Sequence, residues 1–243
     1  MIDIHSHIIP NVDDGARSWQ EALAMCRMAW KDGIQGMVAT PHALNGVYLT
    51  DGNVIAEQIV LLKEKLREEN IGLEIYQGAE VYCSPDLPLI LTQDPSLTFN
   101  SSGRYFLLEF PHSIIPPHSE ELLFQLGLRN FIPIIVHPER NLHVQSNVGL
   151  LEKLVNAGAF CQVTAMSFTG GFGTRVRDTA FQLLKKGLVH AVASDAHNPT
   201  GRPPIMSKAR QVVSECLDEG KARELFEGFP RKILKGEVLS GDI

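Results

Sequence analysis

Apolar positions along the chain alternate between two spacings, and the alternation predicts the architecture. Seven short apolar, β-branched runs read as strands: IDIH at the start, GMVAT at 36–40, LEIYQGAEV at 73–81, YFLLEF at 105–110, FIPIIVH at 131–137, FCQVTA at 160–165 and LVHAVASD at 188–195. Between them the period lengthens to that of a helix. SWQEALAMCRMAWKDG opens on Ser18 with Glu21 three residues on, a capping box, and Gly33 follows its end. Trp19, Leu23, Cys26 and Trp30 share one predicted helical face there. NVIAEQIVLLKEKLREEN carries a stripe of Ile55, Ile59, Leu62 and Leu66 behind Asn53 as the expected N-cap. Further helical patterns cover 118–128, 147–157, 174–186 and 205–219. With no flexible linker, repeat or low-complexity tract, this reads as a single α/β domain over 1–243. Periodicity alone permits either a doubly wound sheet or a closed barrel.

The polar residues change that picture. In the stretch DIHSH, His5 and His7 stand two apart in a predicted strand, so they project together while Ile2 and Ile4 point the other way. Asp13 and Asp14 follow in the next loop. His42 follows the second run, Glu80 lies in the third, Glu109 ends the fourth and His137 ends the fifth. The sixth offers no such donor, and the seventh delivers Asp195 and His197. A single strand-end His or Asp is commonly a cap or turn residue. Ten together are different, because several carboxylates brought close without cations are costly. In a barrel the strand ends converge on one mouth, whereas the outer strands of an open sheet keep theirs apart. The expectation is therefore a barrel with a multinuclear metal centre of N and O donors, suited to Mn, Fe, Zn or Mg.

Composition narrows the function. A hydrophobic fraction of 44% and a charged fraction of 21% are ordinary for a chain that buries a real core. The net charge of −6 gives no electrostatic reason to expect nucleic acid or an acidic membrane as partner. No apolar run approaches a membrane span. Cys26, Cys83, Cys161 and Cys216 show no CxxC spacing, which points to a reducing compartment. With candidate donors from residue 5 onward, no cleavable leader is expected, and the expected location is cytoplasmic.

Taken in order, DIHSHIIPNVDDG, ATPH, GAEV, LLEF, VHPER and SDAHN resemble the polymerase-and-histidinol-phosphatase (PHP) superfamily. More closely, the chain is similar to the PHP-type bacterial protein-tyrosine phosphatases of capsular and exopolysaccharide gene clusters. The likeness runs from residue 1 to about 235 and includes NGVY after His42, SFTGGFG at 167–173 and Arg202. It implies a distorted (β/α)7 TIM-like barrel with three divalent metal ions, usually manganese, with iron or zinc in relatives. Carried over by residue, His5, His7, Glu80 and Asp195 would hold one ion. Glu80, Glu109 and His137 would hold the second, with Glu80 bridging, and Asp14, His42 and His197 the third. Arg140 and Arg202 match the arginines implicated in phosphate binding. The implied substrate is a phosphotyrosine-bearing protein, the tyrosine-rich tail of a bacterial tyrosine kinase. Two positions depart from the pattern: Ala43 stands where relatives often carry a second histidine, and Asn11 where glycine is common.

The residues support phosphate-ester hydrolysis by a metal-activated hydroxide, with Arg140 and Arg202 gripping the phosphoryl oxygens. The thiolate route to the same reaction requires Cys-x5-Arg. Six residues after the four cysteines stand Asp32, Leu89, Ser167 and Ala222, so the cysteines are bystanders. Three other readings stay open: a small-molecule phosphatase of the histidinol phosphate type, a phosphodiesterase or nuclease disfavoured by the acidic charge, and a noncatalytic PHP-fold regulator. The last predicts an eroded donor set, yet all nine positions hold competent donors. TGGFGT at 169–174 reads as a phosphate-binding loop or, preferably, as a tight turn with Thr174 as N-cap. His112, His118 and His143 are expected in loops and His190 inside the seventh strand, none as a ligand. HSIIPPH at 112–118 reads equally as a rim loop or a plain connection.

Overall fold

The computed structural model describes residues 1–48 and 50–239, so Leu49 and residues 240–243 of the expected domain lie outside the described residues. Nine parallel strands run β1 (Ile2–Ser6), β2 (Gly36–Ala39), β3 (His42–Ala43), β4 (Glu74–Gln77), β5 (Glu80–Tyr82), β6 (Tyr105–Glu109), β7 (Ile132–Val136), β8 (Phe160–Thr164) and β9 (Ala191–Ala193). They make seven staves: the run predicted at 73–81 is broken into two strands, and the run predicted at 36–40 is followed by a second short strand beyond its end. β2 and β3 are separated at Thr40–Pro41, and β4 and β5 at Gly78–Ala79. Hydrogen bonds from Gly78 N to Ala39 O (3.1 Å) and from Glu80 N to Pro41 O (3.0 Å) carry the pairing across both breaks. Gly78 is needed at its break, since a Cβ there would stand 2.7 Å from Phe99 Cδ1 and 2.9 Å from Val38 Cγ1.

Strand order is β1-β2-β4 and β3-β5-β6-β7-β8-β9. A parallel bridge between Ser6 and Ala196 joins the first stave to the last. It is reinforced by Asp195 N to His5 O (2.9 Å) and His7 N to Ala196 O (2.8 Å). The Asp3 carboxylate adds bonds from Ser194 N (2.9 Å) and Ser194 Oγ (2.5 Å). The seven staves thus close into the distorted barrel that the converging donors predicted.

Two apolar clusters account for this closure. Outward-facing residues such as Met37, Val81, Leu108, Ile135 and Val192 pack against the surrounding helices. Inward-facing residues, among them Val38, Leu107, Ile134, Val136 and Ala193, fill the barrel. Ile2 and Ile4 belong to this interior cluster rather than pointing away from the histidines. The register of β1 on β2 shifts between Asp3 and Ser6, and that irregularity breaks the simple alternation.

The helices are α1 (Trp19–Lys31), α2 (Gly52–Glu68), α3 (Leu87–Gln93), α4 (Ser119–Gly127), α5 (Leu142–Ser146), α6 (Gly149–Asn156), α7 (Ala165–Phe168), α8 (Thr174–Lys185), α9 (Ser207–Cys216), α10 (Glu219–Arg223) and α11 (Phe229–Leu234). Ser18 caps α1 by accepting from Glu21 N, but Glu21 reaches back to Arg17 N, one residue beyond the usual capping-box partner. The buried face of α1 is Ala22, Met25, Cys26 and Ala29, with Trp19 and Leu23 of the predicted face packed partly buried beside it and Trp30 largely exposed. The predicted α2 stripe is buried in full, yet its cap is Asp51, which accepts from Asn53 N and Val54 N at 2.9 Å. α8 likewise begins at Thr174 itself, with Gly173 in the cap position. His143 lies within α5 rather than in a loop. Asn11 adopts a left-handed conformation (φ 61°), which explains why glycine serves at that position and why asparagine is tolerated there.

The C-terminal helices seal the floor of the barrel. Phe229 and Ile233 of α11 join the interior cluster, and Tyr105 donates to Glu237 O at 2.6 Å. His190 sits just before β9 against the rings of Phe160 (5.0 Å) and Phe229 (6.0 Å). Its Nδ1 accepts from Cys161 N at 3.1 Å, which requires a neutral ring. Burial pulls its pKa down from 6.5 to about 4. The depressed value stabilises the fold fully above pH 6.5, and that contribution, up to about 3 kcal/mol, is lost as pH falls through about 4. Urea unfolding of wild type and His190→Gln should therefore show the stability gap between them shrinking from pH 7 to pH 4.5. A gap that does not change with pH would contradict the assignment.

Candidate metal centre

The nine donors that the resemblance assigns as ligands meet at the C-terminal mouth of the barrel. His5 and His7 lie on and just after β1, with Nε2 atoms 3.3 Å apart. Each Nε2 is 3.3 Å from Glu80 Oε2 and 3.4 Å from Asp195 Oδ1. Glu80 opens β5 in register with the inward-facing Leu107, which directs it into the barrel. Its Oε2 is 3.0 Å from His42 Nδ1, and its Oε1 is 2.8 Å from His137 Nε2. Glu109, ending β6, approaches His42 Nδ1 at 3.4 Å. Asp14 Oδ1 stands 3.5 Å from the Nε2 atoms of both His42 and His197. Contacts of 3.5 Å or less therefore link all nine. Two of the residues, His137 (φ 36°) and Asp195 (φ 53°), take left-handed conformations at their strand ends, strain of the kind concentrated at functional sites.

The donor atoms fall into three groups, each within 4.8 Å: His5, His7 and Glu80; His42, Glu80 and Glu109; and His7, Asp14, His42 and His197. This grouping differs in detail from the one the resemblance implied. His42 presents Nδ1 to Glu80 and Glu109 and Nε2 to Asp14, so it stands between two groups. His137 reaches only the other oxygen of Glu80, and His7 faces the third group as well as the first.

Outer contacts decide which nitrogen of each imidazole faces the centre. His7 Nδ1 donates to Asp13 Oδ2 (2.7 Å), which also accepts from His42 N (3.0 Å). His5 Nδ1 pairs with Gln162 Oε1 at 2.8 Å. Both rings consequently turn Nε2 towards Glu80 and Asp195, where a cation between them would meet the Nε2 lone pairs, the arrangement that outer-shell partners impose on metal-binding histidines. Donors about 2.1 Å from a shared ion stand ~3.0 to ~3.4 Å apart for octahedral and tetrahedral geometry, and the contacts of Glu80 Oε2 and Asp195 Oδ1 with His5 and His7 have that spacing. The buried Nδ1 of His42 has no hydrogen-bond partner although two carboxylates face it. The donor set fits divalent cations.

Electrostatics agree. Burial alone would raise Glu80 and Asp195, but His5 and its neighbours hold both carboxyls well below the usual range, with Arg202 and Arg140 adding to the effect on Asp195. Burial disfavours charge on His42, yet Glu109 and Glu80 override it and push its pKa up to about 10. Positive charge is what this cluster attracts.

Asp195 joins the donor cluster to the arginines. Its Oδ1 faces His5 and His7, while its Oδ2 accepts from Arg140 Nη1 (2.5 Å) and Arg202 Nη2. Both guanidiniums lean on the ring of Phe172, at 4.9 and 6.0 Å. Asp13, picked out beside Asp14 by the strand-end pattern, serves as an outer partner of His7 rather than as one of the nine donors. Gln162 and Phe172 are contributors that donor spacing did not identify, and they carry no sequence signal of their own. The four cysteines are free, and burial pushes Cys26 up to about 12 and Cys83 up to about 11, far from thiolate reactivity.

Comparison with known proteins gives consistent matches. The family model described as capsular polysaccharide synthesis, CpsB/CapC, matches residues 1–235. Tyrosine-protein phosphatase YwqE of Bacillus subtilis is 39% identical over 215 residues, covering 88% of this chain and 84% of that protein. Tyrosine-protein phosphatase CpsB of Streptococcus pneumoniae is 33% identical over 249 residues, covering 98% and 100%. A crystal structure from work on YwqE of B. subtilis and CpsB of S. pneumoniae, described as unique metal-dependent tyrosine phosphatases, superposes with a TM-score of 0.94 at 34% identity, covering 99% of this chain and 96% of that one. A TatD-like protein from Archaeoglobus fulgidus shares the fold at 14% identity and a TM-score of 0.56, covering 97% and 100%.

Proposed function

Because the chain belongs to the capsular polysaccharide synthesis CpsB/CapC family, we infer that it is a metal-dependent protein-tyrosine phosphatase acting within one functional domain, residues 1–243. The observation that carries the reading is the double role of Asp195. One of its oxygens faces a cluster of N and O donors while the other gathers two guanidiniums, so a donor cluster and two anion-binding side chains meet at one residue. We assign His5, His7, Asp14, His42, Glu80, Glu109, His137, Asp195 and His197 as ligands of three divalent ions, manganese first, and Arg140 and Arg202 as the residues that hold the phosphoryl group.

Divalent ions at such a site polarise phosphoryl oxygens and lower the pKa of water from ~15.7 towards ~7. The chain's own residues do the rest. Asp13 and Gln162 fix the tautomers of His7 and His5, so the lone pairs are set before substrate arrives. Arg140 and Arg202 offer charge-assisted hydrogen bonds to the phosphoryl oxygens, which strengthen as negative charge spreads in the transition state. The floor sealed by α11 leaves the mouth as the side from which substrate reaches the centre. A phenolate leaving group, with a pKa near ~10, needs less protonation than an alkoxide.

The proposed substrate is the tyrosine-rich tail of a bacterial tyrosine kinase, met in the cytoplasm. No helix of the described residues is long and apolar enough to cross a membrane. The test is phosphate release from a phosphotyrosine peptide by protein stripped of metal, before and after addition of Mn²⁺, with histidinol phosphate in parallel. Manganese-dependent turnover of the peptide is expected. Inactivity towards the peptide in both forms would sink the assignment, and preferential turnover of histidinol phosphate would turn it into a small-molecule phosphatase.

A further inference from the structure

The glycine-rich segment SFTGGFG has a role in neither the donor cluster nor a phosphate-binding loop. Its amides are already used within the turn: Gly171 N donates to Met166 O (2.9 Å), Gly170 N to Ser167 O (3.3 Å) and Gly173 N to Gly170 O (3.0 Å). What the turn presents outward is Phe172. Gly170 (φ 83°) and Gly173 (φ 89°) supply the left-handed residues on either side of it, and a Cβ on Gly171 would meet Met166 Cε at 2.6 Å. The segment is fastened to the catalytic mouth by Glu139, whose buried Oε1 accepts from Thr164 N (3.0 Å) and Ser167 Oγ (2.6 Å). Glu139 is the chain neighbour of Arg140.

Arg140 and Arg202 come from distant loops, carry like charges and share a single carboxylate oxygen. Such a pair tends to splay, the more so once an incoming phosphate draws both away from Asp195. Phe172 lies within cation–π range of both, 4.9 and 6.0 Å from the guanidinium carbons. The buried Nε of Arg202 has no hydrogen-bond partner, which leaves a donor for an anion. We propose that Phe172 is a positioning residue, the shared aromatic rest that holds Arg140 and Arg202 together as one phosphate-binding unit. The inference deepens the phosphatase reading and rests on it for the role of the two arginines.

The experiment is calorimetric titration of manganese-loaded protein with inorganic phosphate, for wild type, Phe172→Ala, Phe172→Leu and Phe172→Tyr, with manganese content measured on each. Two lost contacts of ordinary cation–π strength correspond to about ten-fold weaker binding, expected for Ala and Leu alike, while Tyr stays within about two-fold of wild type. Steady-state kinetics on an aryl phosphate should show the change in KM before kcat. Phosphate binding that is unchanged in Phe172→Ala, or kept by Leu as well as by Phe, overturns the proposal. So does a loss of manganese alongside phosphate, because the ring would then act on the donor cluster rather than the arginines. If Phe172→Ala fails to fold, Phe172→Leu gives the answer. Wild type that binds phosphate but hydrolyses no aryl phosphate defeats the phosphatase reading and leaves this inference standing.

Discussion

Glu80→Gln should cost turnover of a phosphotyrosine peptide well over the ~100-fold that altering an outer partner of a metal ligand produces. Gln keeps the volume of the side chain and removes only its charge. That charge is the hub of the centre: the two carboxylate oxygens stand within 3.3 Å of His5, His7, His42 and His137. An amide offers one weak acceptor and two donors where two anionic oxygens are needed. Elemental analysis after manganese loading should show at least one ion fewer per chain than wild type, with far-UV circular dichroism unchanged. Full manganese content together with full activity would mean that Glu80 is not a shared ligand.

The second prediction reaches the centre through the backbone. Gly15→Ala should reduce manganese affinity and turnover by about 10- to 100-fold, the range seen when the support of a metal ligand is disturbed. A Cβ on Gly15 would lie 2.1 Å from His7 O and 2.5 Å from His7 Cβ, contacts that no side-chain movement relieves. The loop must retreat. In doing so it strains Ala16 N to His7 O (3.0 Å), Gly15 N to Asp13 Oδ1 (2.9 Å) and, through Asp13, the bond that fixes the His7 tautomer. Isothermal titration with Mn²⁺ reads the affinity directly. Wild-type affinity in Gly15→Ala would show that the loop yields without moving His7.

The residues with chemistry were legible because strand ends in a parallel barrel are also the places where a metal centre is built. His5, His42, Glu80, Glu109, His137 and Asp195 each stand at or beside an end of a stave, so one-dimensional position predicted three-dimensional proximity. Features that depend on packing across the barrel were not legible. The break at Gly78–Ala79 stands where Phe99 and Val38 crowd Gly78, and LEIYQGAEV reads as continuous without those neighbours. On α1 the fully buried positions are Ala22, Met25, Cys26 and Ala29, while Trp19 and Leu23 pack partly buried at the edge of the core and Trp30 lies largely outside it. Gln162 looks like an ordinary strand residue until His5 is seen beside it. Phe172 acquires meaning only when two arginines, 62 positions apart by 202 − 140, arrive over its ring.

The bridge between Ser6 and Ala196 also bears on how the molecule assembles. Bringing those residues together encloses 190 positions (196 − 6), a closure that costs about 4–5 kcal/mol of chain entropy before any local gain. Sequence separation on that scale predicts that this pairing forms after the shorter-range pairings between neighbouring staves, an order that pulse-labelling hydrogen exchange would test. The amides of His7 and Asp195 belong to that last join and are each the backbone of a donor. A cation held by His5, His7 and Asp195 would act as a rivet across this long-range joint of the barrel, and deuterium uptake at those two amides would keep time for its arrival and departure.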